Sequence, residues 1–393
     1  MTNQPILQNI RILDFSWVLA GPYATRILAD FGAEVIKVQP LLPEEAEDAF
    51  SRGYYSTWNR NKLGITLNLN KGEGVAIAKK LVAISDAVVE NFTPRVMANW
   101  GLDYESLKRI KPDLIMLSMS TMGSTGPQRD YVGFGPTVHA FSGMTYLTSL
   151  PGKPPMGPGY AHADHVAGLV AALAMLGALE YRRRTGEGQY IDVSQVEAMA
   201  SLLGDAVLEY TADGRSPEPM GNRSAEAAPH GIYRCRGDDR WCAIAVFNDE
   251  EWCRFCRVLG DPSWSEDSRF ATSARRLENA DELDGWVERW TIQHTAEEVM
   301  NRLQAAGIAA GVVQDARDLV NDPQLRSRGF FVELGHPELG KTVSDAVPIR
   351  LSRTQARYRR AAPTAGQDND YVFRDLLGMS AGDITALRKQ GVI

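Results

Sequence analysis

The first 120 residues alternate short apolar runs with amphipathic stretches, and that alternation confines the chain to a parallel sheet covered by helices. Residues 10–14, 34–38, 64–69, 87–90 and 114–118 read as strands, with helices over 23–31, 72–84 and 104–110 between them. In such sheets ligands gather beyond the carboxyl ends of the strands. The loops after Asp14, Glu90 and Ser118 are therefore the expected walls of a site. Neither a Gly-x-Gly-x-x-Gly after the first strand nor a Walker sequence is present, which argues against a dinucleotide or a nucleoside triphosphate as ligand.

At 393 residues the chain is longer than one hydrophobic core usually serves. Composition turns to Pro, Gly, Ala and Glu over 217–229, which marks a boundary near Met220. The expected organisation is a large α/β domain beginning over 1–220, a smaller domain over 221–330 opening with strand-turn-strand signals at 231–247, and a segment 331–393 that rejoins the first. A net charge of -7 argues against nucleic acid as partner. The one basic cluster, Arg182-Arg183-Arg184, reads as the last turn of a helix, complementing its dipole. No run of about 18 apolar residues and no targeting peptide is apparent, so no membrane span is expected and the cytoplasm is the expected compartment.

All four cysteines fall between residues 235 and 256. A zinc site through Cys253 and Cys256 is disfavoured, because Cys235 and Cys242 flank a turn while Cys253 and Cys256 are expected on the core face of a helix. Asp164 lies between His162 and His165, with no further ligand fixed near it by the sequence, so no metal is expected there either. It precedes an alanine-rich helix expected over 166–181, a place where aspartate commonly caps. A carboxylate so placed should remain ionised, with a pKa no higher than its ordinary value of about 3.9.

Four segments taken in order carry more information than any one of them. Asp14-Phe15-Ser16-Trp17-Val18-Leu19-Ala20-Gly21-Pro22, Gly32-Ala33-Glu34-Val35-Ile36-Lys37-Val38, Asn59-Arg60-Asn61-Lys62 and Val89-Glu90-Asn91-Phe92 together resemble the class III CoA-transferase family. Asp164 with Gly168, residues 182–189 and Asp192-Val193-Ser194 extend the resemblance over nearly the whole chain. It implies an α/β fold with a Rossmann-like large domain built from both chain ends, a smaller α+β domain, and open-ring subunits interlocked as a homodimer or with a related subunit. It also implies that Asp164 attacks an acyl-CoA and that CoA is a substrate, with no tightly bound cofactor. An acyl-CoA racemase would carry a histidine after the Ser-Gly pair near residue 143, where this chain has Tyr146, although His139, His162 and His165 are other imidazoles to consider. A non-catalytic subunit of a heteromeric transferase is the third reading, and retention of Asp164 weighs against it.

Carried over position by position, the resemblance puts CoA along Trp17, Val18, Leu19 and Ala20, with Leu67, Asn91, Phe92, Val96 and Asn99 toward its adenine and diphosphate. Relatives carry basic residues where this chain has Pro40 and Asn99, leaving Lys71 and Arg95 as candidates for the phosphates. Around the acyl group, Phe134, Met144 and Tyr146 are expected as an apolar wall, His165 as a contact, and Arg223 as the partner of a second carboxylate. A succinate-type donor and an aromatic or dicarboxylic acceptor follow from that set.

Overall fold

Strand after strand in the first part of the chain is buried along its length, because both faces of the sheet are covered. The computed structural model describes residues 4–41 and 49–393. The chain divides into two compact units, the first comprising Met1–Thr145, Gly157–Ser216 and Arg326–Ile393, the second Tyr146–Met156 and Pro217–Leu325.

In the first unit β1 (Arg11–Asp14), α1 (Ala20–Asp30), β2 (Glu34–Gln39), α2 (Ala49–Trp58), β3 (Leu63–Thr66), α3 (Gly72–Ala83) and β4 (Ala87–Glu90) follow one another. Then come α4 (Arg95–Asn99), α5 (Tyr104–Lys108), β5 (Ile115–Ser118), α6 (Gly135–Phe141), α7 (Met144–Leu147), whose last two residues fall in the second unit, α8 (His162–Thr185) and β6 (Tyr190–Asp192), with α9 (Gln195–Ala200) and α10 (Gly204–Asp213) after them. The strands form a six-stranded parallel sheet in the order β3-β2-β1-β4-β5-β6. Adjacent residues of a strand point to opposite faces. Ile12, Val35, Val89 and Ile115 accordingly pack under α1 and α8, while Leu13, Ile36, Val88 and Met116 meet α3 and the C-terminal residues Ile384, Val392 and Ile393. The strand order reverses between β1 and β4, which opens a crevice where their carboxyl ends part.

The alanine-rich helix is longer than expected. α8 begins at His162, one turn before the predicted start, so Asp164 lies inside its first turn and Ala161 is the N-cap residue. It ends at Gly186, whose φ of 79° suits glycine, and Arg182 pairs with Asp86 at 2.7 Å while Arg183 and Arg184 hold Glu180. α8 crosses α1 closely. A Cβ at Gly168 would stand 2.9 Å from the Ala20 carbonyl oxygen and 2.9 Å from the Tyr23 ring, so only glycine fits. By length and composition alone α8 is apolar enough to cross a bilayer, as core helices can be, and half of that window is buried within the protein.

In the second unit β7 (His230–Arg234), β8 (Trp241–Ala245) and β9 (Ala309–Val312) form an antiparallel sheet. Helices Asp249–Leu259, Ala280–Thr291 and Ala296–Ala305 pack on it around Phe255, Leu283, Val287 and Leu303. Cys235, Cys242 and Cys256 are buried thiols there; Cys253 is exposed, where a core position was expected, because its side of the helix faces outward.

Candidate active site

Between β1 and α1 the backbone is held from several sides. Asp14 is fully buried and accepts from Ser16 N at 2.9 Å and Thr25 Oγ1 at 2.6 Å, with the Lys62 and Lys37 ammoniums 3.1 and 3.4 Å away. Burial alone would raise its pKa, but the two lysines and the hydroxyl donors outweigh that and hold it well below the carboxylate range. The same burial lowers Lys62 to about 7 despite Asp14. This network fixes where the loop Ser16–Leu19 leaves the sheet. Within the loop Val18 adopts a φ of 63°, unfavourable for a β-branched residue, and a Cβ at Gly21 would overlap Ser16.

Across the crevice, Asn91 at the end of β4 clamps the Trp17 backbone in both directions, accepting from its N–H at 2.7 Å and donating to its carbonyl at 2.8 Å. The Trp17 ring meets Phe92 edge to face at 5.9 Å, and Phe92 meets Trp100 at 5.7 Å. A cavity of about 420 Å³ opens beside them at the ends of β1 to β4, lined by Trp17, Gln39, Leu67, Phe92, Val96 and Trp100 among others. A second, of about 260 Å³, adjoins it at Val18, Lys37 and Tyr55.

Asp164 lies at the other end of the same loop. The backbone amides of Ala20, the first residue of α1, and of Asp164 itself favour its charged form. Burial nevertheless dominates and raises its pKa to about 6, so the expectation of an unshifted carboxylate was wrong. Local sequence showed the helix terminus but not how little water reaches it. The start of α6 closes the other side, where a Cβ at Gly135 would stand 2.7 Å from Asp164 Oδ2. Behind the carboxylate, His139 Nε2 accepts from Ala163 N at 3.0 Å, and its ring lies 6.4 Å from that of the exposed His162.

Beside Asp164, a cluster of aromatic rings surrounds His165. Tyr23, Trp58 and Tyr160 have ring centroids 5.0, 5.1 and 5.1 Å from its imidazole. The Tyr54 hydroxyl is raised above its usual pKa by burial and by the nearby Asp164 and Tyr160. Arg26 stacks on Tyr23 and Trp58 and pairs with Asp345 at 2.7 Å.

Of the residues named from sequence, Trp17, Leu67, Phe92 and Val96 line one cavity, Val18 the adjoining one, and Asn91 braces the loop they share. Leu19 is buried, and Ala20 serves Asp164 through its amide. Lys71, Arg95 and Asn99 do not line the cavity; the Lys71 ammonium donates to the Gln390 carbonyl. Near Asp164, Phe134 caps α6 and is exposed, His165 neighbours it on α8, and Met144 packs near Val138, Ala163 and Met199. Tyr146 and Arg223 belong to the second unit, where the Arg223 guanidinium holds Asp281 and Asp284. Sequence reasoning missed Tyr23, Tyr54, Trp58 and Tyr160. The aromatic density of α2 just ahead of Asn59-Arg60-Asn61-Lys62 was the available signal.

The model of CoA-transferase family III matches residues 7–369. The chain is 36% identical to succinyl-CoA–D-citramalate CoA-transferase of Chloroflexus aurantiacus, covering 98% of both sequences. It is 33% identical to succinate–glutarate CoA-transferase of Agrobacterium fabrum, covering 95% of this chain and 96% of that one. Among solved structures, a CAIB/BAIF family protein from Brucella suis superposes with a TM-score of 0.87 at 30% identity, covering 95% of this chain and 100% of the other.

Proposed function

The chain belongs to CoA-transferase family III, and we propose that it carries CoA from succinyl-CoA to a dicarboxylic acid, with Asp164 as the nucleophile. One observation carries the assignment of Asp164. The loop from Trp17 to Ala20 borders the cavities at one end, and at the other its Ala20 amide favours the charge of the Asp164 carboxylate. CoA bound along that loop brings its thioester to the carboxylate.

In the first step an Asp164 oxygen attacks the thioester carbonyl, the C–S bond breaks, and a succinyl-aspartyl anhydride and CoA thiolate result. The thiolate then attacks the Asp164 carbonyl, releasing succinate and leaving an aspartyl-CoA thioester. Attack by the acceptor carboxylate on that thioester expels the thiolate and forms a second anhydride. Return of the thiolate to the acceptor's carbonyl yields the new acyl-CoA and frees Asp164. Every step exchanges one acyl bond for another, so no general base is needed. The Ala20 N–H, at a helix N-terminus, is placed to receive negative charge developing on the aspartyl oxygens. Burial of Asp164 weakens its hydration and so strengthens it as a nucleophile, at the cost of a raised pKa.

The acyl-enzyme is the test. After incubation with succinyl-CoA and then hydroxylamine, peptide mass spectrometry should find the hydroxamate at Asp164. An Asp164→Asn protein should lose at least about 10³-fold in exchange rate. Modification elsewhere, or full exchange by the variant, defeats the proposal. The subunits are proposed to interlock as a homodimer, which is supported by an apolar face on α8 and α10 left open in the single chain: Leu169, Leu173, Leu176, Leu208 and Tyr210 are exposed.

A further inference from the structure

We propose that the acceptor is a hydroxy acid and that its hydroxyl donates to Nε2 of His165, which makes this imidazole the residue that selects among acids. The inference rests on the CoA-transfer reading above.

It begins with the tautomer. His165 Nδ1 lies 2.8 Å from the carbonyl oxygen of Ala161. A carbonyl only accepts, so Nδ1 carries the proton and, in the neutral ring, Nε2 presents a bare lone pair. The ring stays neutral because burial, together with the nearby Arg26 and His162 charges, lowers its pKa, outweighing the Ala161 hydrogen bond and the opposing charge of Asp345. Nε2 is therefore an acceptor fixed by the fold.

That acceptor is poorly satisfied. Its partner is the Tyr160 hydroxyl at 3.4 Å, well beyond the 2.7–2.8 Å or so of a good O–H bond. Tyr160 itself is 61% exposed, so little holds it over the imidazole. Tyr23 and Trp58 wall the other sides, which keeps the lone pair in surroundings where a hydrogen bond is worth more than in water.

The position fits the reaction. His165 follows Asp164 on α8, and the two contact the same helix, Asp164 through the Ala20 amide and His165 through the Tyr23 ring. An acid whose carboxylate reacts at Asp164 meets His165 if it carries its hydroxyl toward the next residue of the helix. A hydroxyl brings a proton to Nε2. A methylene brings nothing, and a carboxylate oxygen would set one lone pair against another. A site built around a hydroxyl partner discriminates strongly against analogues that lack it.

Matched acids supply the test, with succinyl-CoA as donor: citramalate against methylsuccinate, and 2-hydroxyglutarate against glutarate. The wild-type protein should show a kcat/KM about tenfold or more higher for the hydroxylated member of at least one pair, the worth of one hydrogen bond in a half-buried site. His165→Leu should bring that ratio close to one, and His165→Gln, which keeps an acceptor oxygen, should restore part of it. A wild type that prefers the plain acids, or a preference that survives in His165→Leu, overturns the inference. If the leucine variant does not fold, His165→Phe, which keeps a ring among Tyr23, Trp58 and Tyr160 but removes the acceptor, carries the same test. Transfer to none of the four acids overturns the CoA-transfer reading itself, and this inference with it.

Discussion

Asp164 titrates near the pH at which it must work. With its pKa raised to about 6, the carboxylate is half protonated there, and only the ionised form attacks. Log kcat/KM should fall with a slope of about one per pH unit below that point and level off above it. Stability should follow the opposite course. The unfolded carboxyl loses its proton near 3.8, whereas the folded one keeps it to about 6, so Asp164 costs the folded state progressively more as pH rises through that window. Asp164→Asn should therefore be more stable than wild type at pH 8, by up to about 3 kcal/mol, and about equal to it near pH 4. Urea melts at the two pH values measure both. None of this was visible in the residues around Asp164, which announced a helix start and no more. Ala20 of α1 and Gly135 of α6, which lie beside the carboxylate, are 144 and 29 residues away in sequence order.

Two helix approaches define the site. Gly168 lets α8 lie on α1, and Gly135 lets α6 start against the carboxylate. Gly135→Ala should push Asp164 aside and cost on the order of 100-fold in kcat, with thermal stability changed little beside that loss. Gly168→Leu, by contrast, forces α1 and α8 apart and should lower stability by about 1–3 kcal/mol or more. The sheet strands were readable because their apolar runs are continuous and bounded by turns, and the parallel sheet follows the alternation of strands with helices. α2 and β6 were not. α2 mixes Ser, Arg, Gly and Tyr without an apolar stripe, and β6 has three residues, too few for a period to show. Trp17, Leu67, Phe92 and Val96 line one cavity because each follows a parallel strand whose end position the pattern already set. Lys71 did not join them, because the C-terminal segment folds back and takes its ammonium.

At the scale of the whole molecule, the outer face of α8 is the conspicuous feature. Leu173 is 71% exposed on a helix whose inner face is wholly packed, so a second copy is the proposed cover. Leu173→Glu should shift the protein toward monomer in sedimentation velocity, with unchanged sedimentation counting against that cover. Saturating CoA should raise the melting temperature of the wild type by preferential binding to the folded state. The same gain should be smaller in Trp17→Ala, which removes the ring at the crevice. The Gly168 crossing has one more consequence. It ties the nucleophile and the Ala20 amide to one pair of packed helices, while Tyr54 and the exposed Tyr160 belong to segments outside that pair. New acids can then be adopted by changing the rim around a fixed chemistry, which is a cheap evolutionary path to a set of exchange enzymes that differ in what they accept.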